Sequence, residues 1–114
     1  MPAARGAAAE AAAAQFLVRR GLTVMCTNYR CRRGEIDLVL RDGASIVFVE
    51  VRLRTNPSFG GAAESIGARK RGRIVAAARH YLAGKPESPC RFDVVLLDRL
   101  QPPRIEWIRD AFSA

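Results

Sequence analysis

Histidine is almost missing from this 114-residue chain, His80 standing alone, and with it goes most of the usual repertoire for binding zinc. Cysteine is sparse too. Cys26, Cys31 and Cys90 form no CxxC pair and leave one over, which points to reduced thiols rather than a disulfide framework. No apolar run approaches the roughly 20 residues that a membrane-spanning helix needs. The Ala-rich start carries Arg5 and Glu10 and has no apolar h-region, so the expectation is a cytoplasmic protein without a cleaved signal. Lysine is limited to Lys70 and Lys85, set against seventeen arginines. Linker-like stretches and internal repeats are missing as well, which favours one domain over residues 1–114.

What is present is a globular composition, 49% hydrophobic and 26% charged, compatible with a single core. Nineteen basic side chains against eleven acidic ones leave a net charge of +8. A balance of that size favours a polyanionic partner, nucleic acid first. An arginine-favouring codon bias would raise the same count without functional meaning.

Hydrophobic periodicity orders the chain. Ala3 to Arg20 reads as a helix that Gly21 stops, and Leu22 to Thr27 as a first strand. The basic stretch Asn28 to Gly34 reads as a connection. Gly34 to Leu40 alternates as a strand does, Arg41-Asp42-Gly43-Ala44 is a turn signal, and Ser45 to Arg54 alternates again. Thr55 to Gly61 carries the breakers of a loop. A second helix is expected from about Gly67 to Leu82, with its apolar stripe at Ile66, Ile74, Ala77, Ala78, Tyr81 and Leu82. Two strands follow, Arg91 to Leu97 and Arg104 to Ile108. The order α-β-β-β-α-β-β permits a parallel crossover around the second helix, hence an α/β mixed central sheet flanked by helices.

The hairpin carries the chemistry. Glu50, Arg52 and Arg54 share a strand face with Ile46 and Phe48. An even-numbered turn brings Asp37 opposite Phe48 or Glu50 on that face, within about 5–8 Å between Cβ atoms; an odd one sends it to the other side. An acid among valines and isoleucines is costly unless compensated, and a divalent metal is one such compensation. Solvated acids on an open strand face are the plainer alternative.

Glu10 lies on the helix stripe with Ala13, Ala14 and Leu17, either snorkelling at its margin or serving as a third acid for a metal or its water. Lys70 falls on the inward face of the second helix, with Arg69, Arg71 and Arg73 spread outward. It serves as charge balance or as a contact to a scissile phosphate. Arg30, Arg32 and Arg33 suit phosphate contacts with Tyr29 as a stacking platform, or form a solvated loop. His80, Trp107 and the cysteines read as packing or surface residues, and Asp93 pairs with Arg91 or with a neighbouring strand and receives no functional role.

Taken together, Gly34-Glu35-Ile36-Asp37-Leu38, Val47 to Arg54, Phe59-Gly60, Lys70, Arg91-Phe92-Asp93-Val94-Val95 and Asp110-Ala111-Phe112 resemble the YraN family of small bacterial proteins. Gly6, Glu10, Ala13 and Asn28-Tyr29-Arg30 extend the likeness over nearly the whole chain. The resemblance implies a restriction-endonuclease-like fold, similar to Holliday junction resolvases, with a PD-(D/E)xK type of site. By position, Asp37 and Glu50 then look like the acids for Mg²⁺ or Mn²⁺, Glu10 like the helix-borne acid, and Arg52 stands where the family usually has lysine. Arginine keeps the charge but gives up no proton near neutral pH. Two readings stay open. One is an endonuclease hydrolysing DNA phosphodiesters, branched or damaged DNA included, in which Arg52 acts electrostatically and Lys70 supplies the amine. The other is a catalytically silent nucleic-acid-binding module; a scaffold for a partner enzyme is a weaker third. Resolvase-like relatives also imply a homodimer.

Overall fold

A computed structural model describes residues 2–53 and 66–114, with the side chains of residues 6–53 and 66–114. Arg54, the loop Thr55 to Gly61 and the Phe59-Gly60 pair lie outside the described residues. Helix α1 spans Pro2–Arg19, strand β1 Thr23–Cys31, β2 Gly34–Asp42 and β3 Ser45–Leu53. Helix α2 follows at Ala68–Leu82, then β4 at Cys90–Leu100 and β5 at Pro103–Phe112. The five strands form one mixed sheet in chain order. All neighbours are antiparallel except β3 and β4, which run parallel. The expected element order and the crossover through the second helix are both found. Among the described residues no helix is long and apolar enough to cross a membrane.

Each helix covers one face. Ala9, Ala13 and Leu17 of α1 pack on Leu38, Leu40, Val47, Val49, Val95 and Leu97. Ile74, Ala77, Ala78 and Tyr81 of α2 pack on Ile36, Val39, Phe48, Phe92, Val94 and Phe112. The i, i+4 spacing on α1 and the period-two alternation along β3 produce this division directly. Across three neighbouring strands the rings of Phe48, Phe92 and Phe112 stack, with centroids 5.5 and 5.0 Å apart. At such separations, ring contacts add to the burial term.

The first strand corrects the sequence reading. Asn28 to Cys31, expected as part of a loop, continue β1, pairing Tyr29 with Ile36, Arg30 with Glu35 and Cys31 with Gly34. Tyr29 and Cys31 turn their apolar parts into the α2-side core, so burial overrides the loop-like arginines between and after them. The connection shrinks to the two exposed residues Arg32 and Arg33. Gly34 is required here by contact: a Cβ at this position would stand 2.2 Å from the carbonyl oxygen of Arg73, well inside any real approach. The β1–β2 turn is thereby pressed against α2. The last two strands also run further than expected, because β4 and β5 stay paired out to Leu100 and Pro103.

Candidate functional site: an acid pair under a helix lysine

β1 and β2 share one kink, and it creates the site. Cys26 and Tyr29, three residues apart, both pack on the α2 side, and so do Ile36 and Val39. Strict alternation would separate them. The face changes at Asn28 and Asp37, which lie between the pairs Thr27–Leu38 and Tyr29–Ile36. Asn28 absorbs the turn with φ of 52°, a conformation that asparagine tolerates better than most residues. Beyond the kink β2 leaves β3: their ladder ends at Leu38–Val49. Asp37 Oδ2 fills the gap by accepting the Val51 N–H at 2.8 Å.

Glu50 sits at this fork. The β2–β3 turn holds two residues, Gly43 and Ala44, between the pair Asp42 and Ser45, the even length that brings Asp37 to Glu50. Glu50 is only 5% exposed. Its pKa is pushed up from 4.5 to about 8, by burial first and then by the charge and hydrogen bond of Asp37, with Lys70 opposing. Two carboxylates in contact cannot both ionise cheaply, so the pair calls for a proton or a cation. Lys70 reaches down from the first turn of α2, placing Nζ 3.3 Å from Glu50 Oε2 while remaining 37% exposed. The helix periodicity that put this lysine on the inward face is thus realised as an ion pair.

Glu10 stands half-buried on α1. Its pKa is raised by burial and then by the Asp37 and Glu35 charges, against a hydrogen bond from Asn28 and the charge of Arg30. It borders the pair electrostatically. Among the described residues, however, no three histidine, cysteine, aspartate or glutamate side chains lie close enough to hold one ion. The expected three-acid cluster is therefore a pair with a third acid at its flank. That donor set still fits Mg²⁺ or Mn²⁺, since magnesium is commonly held by one or two carboxylates with waters and substrate phosphate. Arg52 lies two residues beyond Glu50 on β3, half-buried and opposite Leu96 of β4.

The remaining candidates separate. Arg32 and Arg33 are exposed in the turn that Gly34 presses against Arg73, so the hairpin arginines and the Arg69-to-Arg73 stretch of α2 border a common basic surface. Arg30 pairs with Glu35 at 3.3 Å. Arg71, expected to face outward, is half-buried and donates from Nε to the Ile66 carbonyl at 2.8 Å. Tyr29 is tied to α2: its hydroxyl hydrogen-bonds His80 Nδ1, and its ring meets Tyr81 edge-on at 5.2 Å. The ring thus has a packing role whatever else it contacts.

One buried acid went without a role in the sequence. Asp93 is 0% exposed and accepts from Arg91 Nε at 3.1 and 3.2 Å, Trp107 Nε1 at 2.9 Å and the Asp110 N–H at 2.8 Å. Arg91 continues to Asp42 at 2.9 Å. The Arg91-x-Asp93 spacing hinted at one of these partners, while those from β5 depend on the fold.

Comparison with known sequences places the chain. The model of the uncharacterised protein family UPF0102 matches residues 9–97. A UPF0102 protein of Dechloromonas aromatica is 59% identical over 111 residues, covering 97% of this chain and 90% of that protein. One of Methylobacillus flagellatus is 55% identical over 106 residues, covering 93% and 94%. A third, from Nitrosomonas europaea, is 53% identical over 110 residues, covering 96% and 93%. The chain belongs to the UPF0102 family.

Proposed function

We propose that this protein is a metal-dependent endonuclease of restriction-endonuclease-like fold that binds DNA and hydrolyses its phosphodiesters. The observation carrying this reading is the Asp37–Glu50 pair, two carboxylates in contact at the fork of two strands, with the Lys70 ammonium 3.3 Å from the buried one. Such a pair is costly to build for stability alone and suits a site that handles a cation and a phosphate.

Asp37 and Glu50 would hold Mg²⁺ or Mn²⁺, which when bound polarises a phosphoryl oxygen and makes its water a better nucleophile. The rest falls to the chain. Val51 N–H fixes Asp37 by a main-chain bond, so this acid is oriented before any ligand arrives. Lys70 supplies an amine able to bind phosphate and also to exchange a proton, the second being a task that Arg52 cannot perform. Arg52 adds permanent positive charge on the same strand face, and Glu10 adds a carboxyl at the flank. Arg32 and Arg33 with the arginines of α2 give the phosphate backbone a place to lie. Arg52, at the place where the resemblance to nuclease-like sites leads one to expect lysine, supports the rival reading, a binding module without hydrolysis.

Cleavage of forked, nicked and four-way DNA with Mg²⁺ or Mn²⁺ decides between them. Wild type should cut, Asp37→Ala should not, and Lys70→Ala should cut about 100-fold more slowly or worse. A Lys70→Ala protein as active as wild type would remove the amine from the mechanism. Salt-dependent binding by every variant without cleavage by any, Arg52→Lys included, would establish the silent module.

A further inference from the structure

A positive φ inside a strand favours glycine above all, yet the kink of β1 is built on Asn28, at φ of 52°. Asparagine accepts that backbone and brings a carboxamide with it. Asn28 stands across from Asp37, both lying between the pairs Thr27–Leu38 and Tyr29–Ile36, one strand spacing of about 4.8 Å apart. From there its side chain hydrogen-bonds Glu10 of α1, the carboxamide N–H donating to the carboxylate. Glu10 faces the charges of Asp37 and Glu35. Arg30 opposes them, but its side chain is 74% exposed and already paired with Glu35 at 3.3 Å. A long acidic side chain swings away from such repulsion into water unless something holds it.

We infer that Asn28 is a positioning residue of the acid site: its carboxamide holds the Glu10 carboxylate toward Asp37, where it takes a water of the bound cation. The inference rests on the metal-binding reading given above and adds to it the residue that ties α1 to the site. Three observations select this role. The first is the choice of residue. Of glycine, aspartate and asparagine, which accept a positive φ most readily, glycine has no side chain and ionised aspartate no donor, so only the third serves both the kink and Glu10. The second is the division of labour. Asp37 is fixed by the Val51 N–H of β3 and Glu50 by Lys70 of α2, and with Asn28 of β1 on Glu10 each acid has a donor from a different element. The third is packing. Ala13 and Leu17 anchor α1 on the sheet, so the helix backbone beside Glu10 is set and its side chain is what remains to be aimed. Among the described residues no three acids stand close enough to ligate one ion directly, which is why Glu10 works through water. Partners that orient a metal's surroundings in this way change metal affinity by about 10–100-fold.

The test is calorimetric titration with Mn²⁺ of the full chain as wild type, Asn28→Gly, Glu10→Ala and the double variant. Glycine accepts the backbone of the kink, so Asn28→Gly removes the donor and keeps the turn. Each single variant should bind Mn²⁺ about tenfold more weakly than wild type. The double variant should bind no more weakly than Glu10→Ala, because Asn28 acts through that acid. A residue that only shapes the strand would instead add its loss to that of Glu10→Ala, and such additivity, or unchanged binding by Asn28→Gly, would overturn the role. A second readout needs no metal. In NMR spectra of the metal-free chain, the side-chain amide protons of Asn28 should shift between wild type and Glu10→Ala; protons that stay in place overturn the hydrogen bond and the role with it. Should Asn28→Gly fail to fold, this comparison decides. The two readings fail separately: Mn²⁺ binding that Asp37→Ala abolishes and Asn28→Gly leaves intact removes Asn28 alone, whereas no binding by wild type removes the metal site and the role of Asn28 together.

Discussion

Glu50 and Asp93 are both buried acids on the parallel strands at the centre of the sheet, yet the fold treats them in opposite ways. Asp93 sits opposite Val49 and Glu50 opposite Val94, one register position apart and on opposite faces. Asp93 meets donors only: a guanidinium, an indole N–H and a backbone N–H. Glu50 meets another carboxylate and a half-exposed lysine. The first is a completed polar network that fastens β5 to β4. The second keeps an unresolved electrostatic demand at a place that Lys70, still 37% exposed, does not seal. Burial of an acid alone therefore does not mark a site; what surrounds the acid does.

The largest difference should appear on truncation. Asp93→Ala leaves Arg91 Nε, Trp107 N–H and the Asp110 amide without their acceptor and should cost about 3–5 kcal/mol in urea unfolding. A cost below about 1 kcal/mol would show that the network is dispensable and the contrast false. Next comes pH. Glu50 binds its proton more tightly in the folded chain than in the unfolded one, where its ordinary value of 4.5 applies. The stability it contributes is complete below that value and is lost as pH rises toward about 8. In the metal-free protein the loss should run at about 1.4 kcal/mol per pH unit, or about 2–3 kcal/mol between pH 5 and 7. Glu50→Gln should flatten that slope; an unchanged slope would assign it to other groups. The smallest effects separate the partners. Trp107→Phe should cost about 1–2 kcal/mol for one lost hydrogen bond to a charged acceptor. Lys70→Ala should move stability by under about 1 kcal/mol, even where it slows the proposed cleavage. If the lysine proves the costlier loss, the Glu50 node is structural after all.

The same contrast explains what the residues disclosed in advance. Period-two alternation from Ile46 to Arg52 placed Glu50 on the α2 side, and helical spacing from Ile66 to Tyr81 brought Lys70 down onto it. Both are local rules that the fold leaves intact. The two-residue turn at Gly43-Ala44 set the register by which Asp37 reaches Glu50. The kink at Asn28 was not legible, since nothing in a run of polar and basic residues signals a positive φ inside a strand. For that reason the sequence reading ends β1 at Thr27 and offers Tyr29 as a stacking platform, whereas the fold ties its hydroxyl to His80 and its ring to Tyr81. The spacing to Arg91 signals one partner of Asp93, but Trp107 and Asp110 reach it only through β5, where Asp110 itself adopts φ of 53°.

The bond from Val51 N–H to Asp37 has one more consequence. A strand normally offers that amide to its neighbour's carbonyl, and here a side chain has taken the neighbour's seat. The acid is consequently held with the stiffness of a sheet ladder, not that of a rotamer. Any cation or phosphate arriving at the fork would meet a carboxylate already aimed, and so would lose little entropy in arranging its own ligand.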